Sequence, residues 1–446
     1  MNTSRAVRAL SDAVQVRTVS YSDRALMDSS EFERFHALLE ATFPLVHSRL
    51  EKTALGHNLL FRWRGSPPTA GAPVSQPIAL MSHMDVVPAD DEGWEHPPFS
   101  GDVADGFVWG RGTLDIKVGL IGILEAIEEL LEQGFAPACD VYVISSCDEE
   151  IGERGGINDI ADYLAAAGVR LAWVLDEGGV VGDGMLPGLT RSLAVVGVAE
   201  KGYLDLELSV EMPGGHSSSP GRATSIGVLG QAVARIEASQ MPGRLIGPVA
   251  EFLAQVGPHL PQPRRLLLSN PRLFAPFIVR ALLASPETAA MVRTTTAPTM
   301  INGGVKPNVL APRASALVNF RVLPGDTADD VVAHVTAAIG DPRVKVKVLV
   351  DSPASTVSPA AGAGFDLIRQ CIGEFWPEAV TAPYLVTGAT DSKALESLAD
   401  GVYRFTPCRL SRADLNRMHS VNERVSIENI ETAVQFFKTI ILRAQE

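Results

Sequence analysis

The chain has 446 residues, 46% of them hydrophobic and 20% charged, with a formal net charge of −14. That length exceeds what one hydrophobic core usually supports, so an ordinary globular protein of about two domains is expected. The negative balance argues against nucleic acid or an anionic membrane as a partner, because phosphates would be repelled.

Residues 1–23 carry Arg5, Arg8, Asp12 and Arg17 at short intervals, which breaks any apolar signal-peptide core. No uninterrupted apolar stretch reaches about 18 residues, so a spanning helix is not expected. Pro77–Met81 predicts a short buried strand that runs into Ser82-His83-Met84-Asp85. Val118–Leu131 predicts a helix with an apolar stripe, opened by Asp115. Asp140–Ser145 predicts a second strand, leading to Asp148-Glu149-Glu150. A helix over Asp159–Ala167 and a strand over Leu171–Leu175 follow, the strand ending at Asp176-Glu177. This β-α-β-α-β rhythm indicates a mainly parallel α/β sheet, in which ligands bind just beyond the carboxyl ends of strands.

The pattern changes near residue 198. Tyr203 to Glu211 alternates strictly, with Leu204, Leu206, Leu208 and Val210 on one face, and Ala314–Val322 repeats the alternation. Such strands belong to a sheet wet on one side. A helix is expected over Ser225–Ser239, and a long Pro-containing helical insert over Met241–Pro298, expected to pack in the core of this second domain. Within it Leu266–Leu283 is interrupted by Asn270, Pro271, Arg272, Pro276 and Arg280, and reads as a helical hairpin with apolar faces. A sharper reading is that the insert walls an apolar pocket for a long acyl chain. Buried α/β texture returns with a helix at Phe365–Phe375, a strand at Gly401–Phe405 and a terminal helix at Ile427–Arg443. The expected division is a discontinuous larger domain, 1–197 and 323–446, with an α+β domain inserted at 198–322.

The chemistry sits at the strand ends. Imidazoles and carboxylates are ligands that Zn²⁺, Co²⁺ or Mn²⁺ accept. His83, Asp115, Glu150, Asp176 and His419 offer a ligand set for two metals, one carboxylate bridging. Asp85, two residues from His83, can fix that histidine's tautomer. Of the neighbours Glu149 and Glu150, one carboxylate can bind metal while the other moves protons. Singly these residues read as surface histidines, solvated loop acids or a helix-dipole aspartate. Their joint placement at one sheet edge favours the metal site. The four cysteines, Cys139, Cys147, Cys371 and Cys408, show no metal spacing and read as reduced buried thiols, so a cytoplasmic location is expected.

Several segments now make a resemblance specific. Ser82-His83-Met84-Asp85-Val86-Val87-Pro88, Trp109-Gly110-Arg111-Gly112-Thr113-Leu114-Asp115, Asp148-Glu149-Glu150 and Gly214-Gly215-His216-Ser217 resemble the aminoacylase and carboxypeptidase family of di-zinc metallopeptidases. Asp176-Glu177-Gly178-Gly179, Glu200-Lys201-Gly202, Asn319-Phe320-Arg321 and His419-Ser420-Val421-Asn422-Glu423 are similar to its carboxypeptidase S and N-fatty-acyl-amino-acid hydrolase branch. These segments run in family order over nearly the whole chain.

The resemblance implies a zinc-peptidase catalytic domain with an inserted ferredoxin-like lid that dimerises the protein. It implies that Asp115 bridges two zinc ions, with His83 and Asp176 completing one site and Glu150 and His419 the other. Asp176 is preferred to Glu177 on the family pattern. Glu149 would be the acid/base. Ile116 stands where relatives often carry a second acid. His216 would stabilise the oxyanion, in related enzymes often across a dimer interface. Arg321, Asn308 and the turn Gly388-Ala389-Thr390 would hold substrate oxygens. The expected activity is hydrolysis of the amide of an N-acyl amino acid or short peptide with a free carboxylate; a carboxypeptidase or dipeptidase with the same site is the alternative. A nucleotide-binding protein is disfavoured, since both phosphate-loop glycine patterns are missing. A metal-binding protein without turnover would lack a ligand or catalytic acid, and none is missing.

Overall fold

The computed structural model describes residues 4–66, 76–152 and 156–444, so the outer chain ends of the expected larger domain fall outside it. Eight strands form the large sheet, in the spatial order Glu51–Leu55, Asn58–Trp63, Val141–Ser145, Ile78–Met81, Trp173–Gly182, Val402–Leu410, Leu193–Glu200 and Val380–Val386. The centre is parallel, as the β-α-β rhythm predicts. The hairpin Glu51–Trp63 joins antiparallel at one edge, and Leu193–Glu200 meets Val402–Leu410 antiparallel near the other, so the sheet as a whole is mixed. The hairpin and the N-terminal helices Arg5–Val14 and Ser29–Thr42 add to the expected elements.

Helices cover both faces. Arg5–Val14, Val118–Glu132, Ala363–Phe375 and Ile427–Arg443 pack one face around Leu10, Leu124, Ile368 and Phe436. Ile157–Ala166 covers the other through Ile160 and Leu164. Val118–Glu132 is buried on nearly every side, including Glu125 and Glu128, because neighbouring helices flank it. Glu128 is accommodated by accepting the N–H groups of Leu45 and Val46 at the start of Pro44–Arg49.

A second core lies under a four-stranded antiparallel sheet, Thr295–Gly303, Arg313–Val322, Gly202–Glu211 and Val344–Ser352. Leu204, Leu206, Leu208 and Val210 are fully buried against the helices Ser225–Ala238 and Ala328–Ile339. The expected boundary at 322 therefore falls short. Ala328–Ile339 and Val344–Ser352 belong to this unit, because they supply its second helix and the strand that pairs with Gly202–Glu211.

The insert packs elsewhere than expected. Ile246, Val249, Phe252, Leu253, Val256 and Ile278 bury against Leu193, Ala199, Val380 and Leu385, at the edge of the large sheet. The edge strand Val380–Val386 presents an apolar face that needs covering, and helix Gly247–Val256 covers it. The buried Lys201 amine fixes the insert's far end by donating to the carbonyls of Ala290 and Arg293.

Candidate active site

His83 lies two residues beyond the end of strand Ile78–Met81 and is 3% exposed. Its Nδ1 lies 3.0 Å from the Asp85 carbonyl oxygen and 3.4 Å from the Asp85 carboxylate. Donation of Nδ1–H there leaves Nε2 with its lone pair facing inward. Asp85 is fully buried and takes three further hydrogen bonds, from Ser20 Oγ at 2.6 Å and from the N–H groups of Glu149 and Glu150 at 3.2 Å each. It thus orients the histidine and the acidic loop together, which makes it a positioning residue.

Around His83 Nε2 stand Asp115 Oδ1 at 3.2 Å, Glu177 Oε1 at 3.3 Å and Glu149 Oε2 at 4.0 Å. His419 Nε2 lies 2.9 Å from Asp115 Oδ2 and 3.1 Å from Glu150 Oε2. Asp115 therefore turns one oxygen to each histidine. Two donors bound to one zinc at about 2.0–2.1 Å, at the tetrahedral angle, are about 3.3 Å apart. The approaches of His83 to Asp115 and Glu177, and of His419 to Asp115 and Glu150, at 2.9–3.3 Å, are close to that separation. Four carboxyl groups sharing two imidazoles also leave excess negative charge in a buried place, which cations would neutralise.

The titration behaviour has the same origin. Burial pushes Glu177 up to about 8, with Asp115 and Asp176 adding repulsion and His83 opposing. Burial likewise holds Glu149 well above the carboxylate range, against the attraction of His83 and reinforced by Glu177, Asp391 and Glu150. His419 is raised to about 10 by its hydrogen bonds to Asp115 and Glu150.

The structure places Glu177, and not the expected Asp176, beside His83. Asp176 pairs with Arg404 and Gly179 with Phe405, so the ladder skips Glu177 and Gly178, and the Gly178 N–H turns to the Thr406 hydroxyl instead. This bulge re-aims the Glu177 side chain toward His83, and the strand continues through it to Gly182. A Cβ on Gly179 would meet the Val195 carbonyl oxygen at 1.8 Å, so only glycine fits. Asp176 instead accepts the Ser392 N–H at 3.0 Å. Ile116, in place of an acid, is buried in the main core while its carbonyl accepts from Ser82 Oγ.

In the sequence Glu423 stands out only as the last residue of the His419–Glu423 motif, and the structure gives it a role. Fully buried, it accepts Arg111 Nη1 at 2.6 Å and the N–H groups of Leu114 and Asp115 at 2.8 and 3.3 Å. It clamps the backbone that presents Asp115. Its spacing of 308 residues from Asp115 left no local signal. A second buried pair, Arg404 with Glu200 at 2.6 Å, underlies the turn 388–392, because Thr390 Oγ1 also donates to Glu200.

A cavity of about 790 Å³ opens over the cluster, floored by Asp115, Glu149, Glu150, Glu177 and His419. Gly388 and Thr390 line one side, although the Thr390 hydroxyl is already engaged by Glu200 and Ser392. The opposite wall is the polar face of the second sheet, with Tyr203, Asp205 and Arg321, the guanidinium of Arg321 stacked 4.9 Å over the Tyr203 ring. No residue of 241–298 lines it, so the insert does not wall this cleft. Beyond Asp115 and Glu177 lies a smaller pocket of about 100 Å³ with apolar walls of Leu114, Ile116, Val180, Leu410 and Met418. His216 and Asn308 lie apart from the cleft. They sit exposed on a short ribbon, Gly215–His216 paired with Val309–Leu310, and the Asn308 carbonyl accepts from Ser217.

Residues 79–443 match the sequence model of peptidase family M20/M25/M40. The chain belongs to that family. It is 39% identical over 440 residues to the N-fatty-acyl-amino acid synthase/hydrolase PM20D1 of Xenopus tropicalis, covering 98% of this chain and 85% of the relative. It is 37% identical over 445 residues to the probable carboxypeptidase S-like 2 of Dictyostelium discoideum, covering 98% and 84%. The fold is that of the M20 metallo-carboxypeptidase Sso-CP2 of Sulfolobus solfataricus, with a TM-score of 0.68 at 16% identity over 98% and 99% of the two chains. Human carnosine dipeptidase 1 is also similar, with a TM-score of 0.64 at 15% identity over 99% and 96%. As a member of this family the protein is a hydrolase, and it carries a donor cluster able to hold metal.

Proposed function

We propose that the protein hydrolyses the amide bond of N-acyl amino acids, using two zinc ions held by His83, Asp115, Glu177, Glu150 and His419. The observation that carries this reading is the division of Asp115 between two donor groups, with Glu149 beside His83 and lining the cleft over the cluster. Bound cations would supply Lewis acidity to the amide carbonyl and acidify water at the cluster. Glu149, held high by burial, is poised to take a proton from water and return it to the leaving amine. Asp85 holds His83 and the Glu149–Glu150 backbone in register. Arg321, on the cleft wall, suits the substrate carboxylate through a bidentate contact. The small apolar pocket beside Asp115 suits an apolar group on the acyl side.

The N-fatty-acyl-amino acid relatives support this substrate class. The carboxypeptidase S-like relatives support peptide substrates as the second reading. The exposed ribbon bearing His216 and Asn308 supports a homodimer in which each ribbon reaches the partner's cleft, because within one chain it stays away from the cluster. The cytoplasm is the compartment we propose, since no disulfide joins the four buried cysteines among the described residues. No helix among those residues is long and apolar enough to cross a membrane. A screen of acetyl- and long-acyl amino acids against dipeptides, with and without chelator, tests the proposal. Chelator-resistant turnover removes the metal from it, and turnover of dipeptides alone removes the acyl substrate.

A further inference from the structure

The insert carries surface that catalysis leaves unused. Aspartate and glutamate total 52 in 446 residues, about one in nine, yet none occurs from Phe252 to Pro286. The same stretch holds Arg264, Arg265, Arg272 and Arg280. It folds into short helices, Arg264–Leu268 and Ala275–Leu282, seated on the body of the protein through Ile278 with Phe274, Leu268 and Leu282. Arg264 adds a hydrogen bond to the Pro187 carbonyl oxygen at 2.8 Å.

The other side is open. Leu266, Leu273 and Phe277 are 56%, 76% and 72% exposed, and Phe277 is the only exposed phenylalanine among the described residues. Phe277 and Arg280 are three apart on helix Ala275–Leu282 and share its outward face, away from the buried Ile278, and the exposed Leu273 lies in the turn just before that helix. Arg265, Arg272 and Arg280 are exposed, and among the described residues none of them is in an ion pair. A groove of about 330 Å³ runs between Asn270–Leu273 and helix Gly247–Val256, with Glu251 the one acid on its border.

We propose that this face docks on an anionic lipid bilayer. Leucine and phenylalanine beside arginines, with acids excluded, is the composition of a segment that lies in a membrane interface. The apolar side chains enter the acyl boundary and the guanidiniums pair with lipid phosphates. The net charge of −14 does not forbid this, because charges beyond about 8 Å are screened at physiological ionic strength. What the whole-chain charge excludes is a general attraction to anionic surfaces, and this patch is a local exception. The proposal is independent of the substrate reading, because binding alone tests it.

The test is co-sedimentation of the full-length protein with vesicles of phosphatidylcholine alone or mixed with phosphatidylglycerol. Binding to the mixed vesicles is expected to be at least about tenfold tighter and to weaken with salt. The double substitution Leu273→Glu with Phe277→Glu should weaken it at least about tenfold, with turnover of a water-soluble substrate and the unfolding temperature unchanged. Arg272→Glu with Arg280→Glu should do the same through charge. Absence of binding, equal binding to both vesicle types, or wild-type binding by either double variant overturns the proposal.

Discussion

Glu177→Gln and Asp176→Asn separate two adjacent carboxylates to which the structure gives different partners. Glu177 Oε1 lies 3.3 Å from His83 Nε2, the separation of two ligands on one zinc, whereas Asp176 Oδ2 accepts the Ser392 N–H at 3.0 Å. Loss of even an outer partner of a ligand costs 10–100-fold in metal affinity, so loss of the Glu177 charge should cost at least about 100-fold, or about 2.7 kcal/mol. Asp176→Asn keeps an acceptor for Ser392 and loses only the charge-assisted part of that bond, about 1 kcal/mol of stability, with affinity changed less than about tenfold. The stripped proteins should show the reverse order of stability. Burial disfavours the charged Glu177, so Glu177→Gln should unfold no earlier than wild type, while Asp176→Asn unfolds earlier. Competition against a chromogenic chelator measures affinity, elemental analysis measures metal content, and thermal unfolding completes the comparison. If Asp176→Asn loses the metal and Glu177→Gln retains it, the reasoning from the bulge is refuted.

Glu149→Gln should leave metal content near wild type and lower kcat by several powers of ten, beyond the 10²–10⁴ often assigned to one acid–base group, because the same carboxyl serves both proton transfers; retained turnover would remove Glu149 from the mechanism. Glu423→Gln leaves Arg111 buried without a counter-charge and should destabilise by about 3 kcal/mol while loosening Asp115, read as a lower unfolding temperature with weaker metal binding. The pH dependence has a definite sign. Glu177 and His419 are raised to about 8 and about 10, so the stability they contribute to stripped protein is present at low pH and lost as pH rises through those values. Metal must displace the same protons, so the unfolding temperature gained on adding zinc should grow between pH 6 and 9; a flat gain contradicts the ligand assignment. If the ribbon completes a partner's cleft, mixing inactive His216→Ala and Glu149→Gln proteins should restore up to about a quarter of wild-type activity, since half the dimers then hold one intact site; no recovery in a mixture shown to exchange subunits rejects the shared site.

The sequence by itself determined the α/β order, the alternating strands of the second sheet and the strand ends where His83 and Glu149–Glu150 lie. Those features are periodic or local, written in neighbours two to four residues apart. It also carried His419 and Asp115 as motif residues, and the resemblance they support implied that Asp115 stands between the two histidines, as its 3.2 and 2.9 Å approaches to His83 and His419 now show. The tertiary structure alone decided three matters, each for a reason of long range. The placement of Glu177 rather than Asp176 beside His83 depends on a bulge against strand Val402–Leu410, and alternation within one strand does not register an irregularity in pairing with its neighbour. The clamp of Asp115 by Glu423 joins positions 308 residues apart, where no periodicity reaches. The insert's seat on the large sheet, with Leu273 and Phe277 left outside, depends on which apolar face stood uncovered nearby. Composition marks a residue as apolar, while burial against a particular partner is settled by packing.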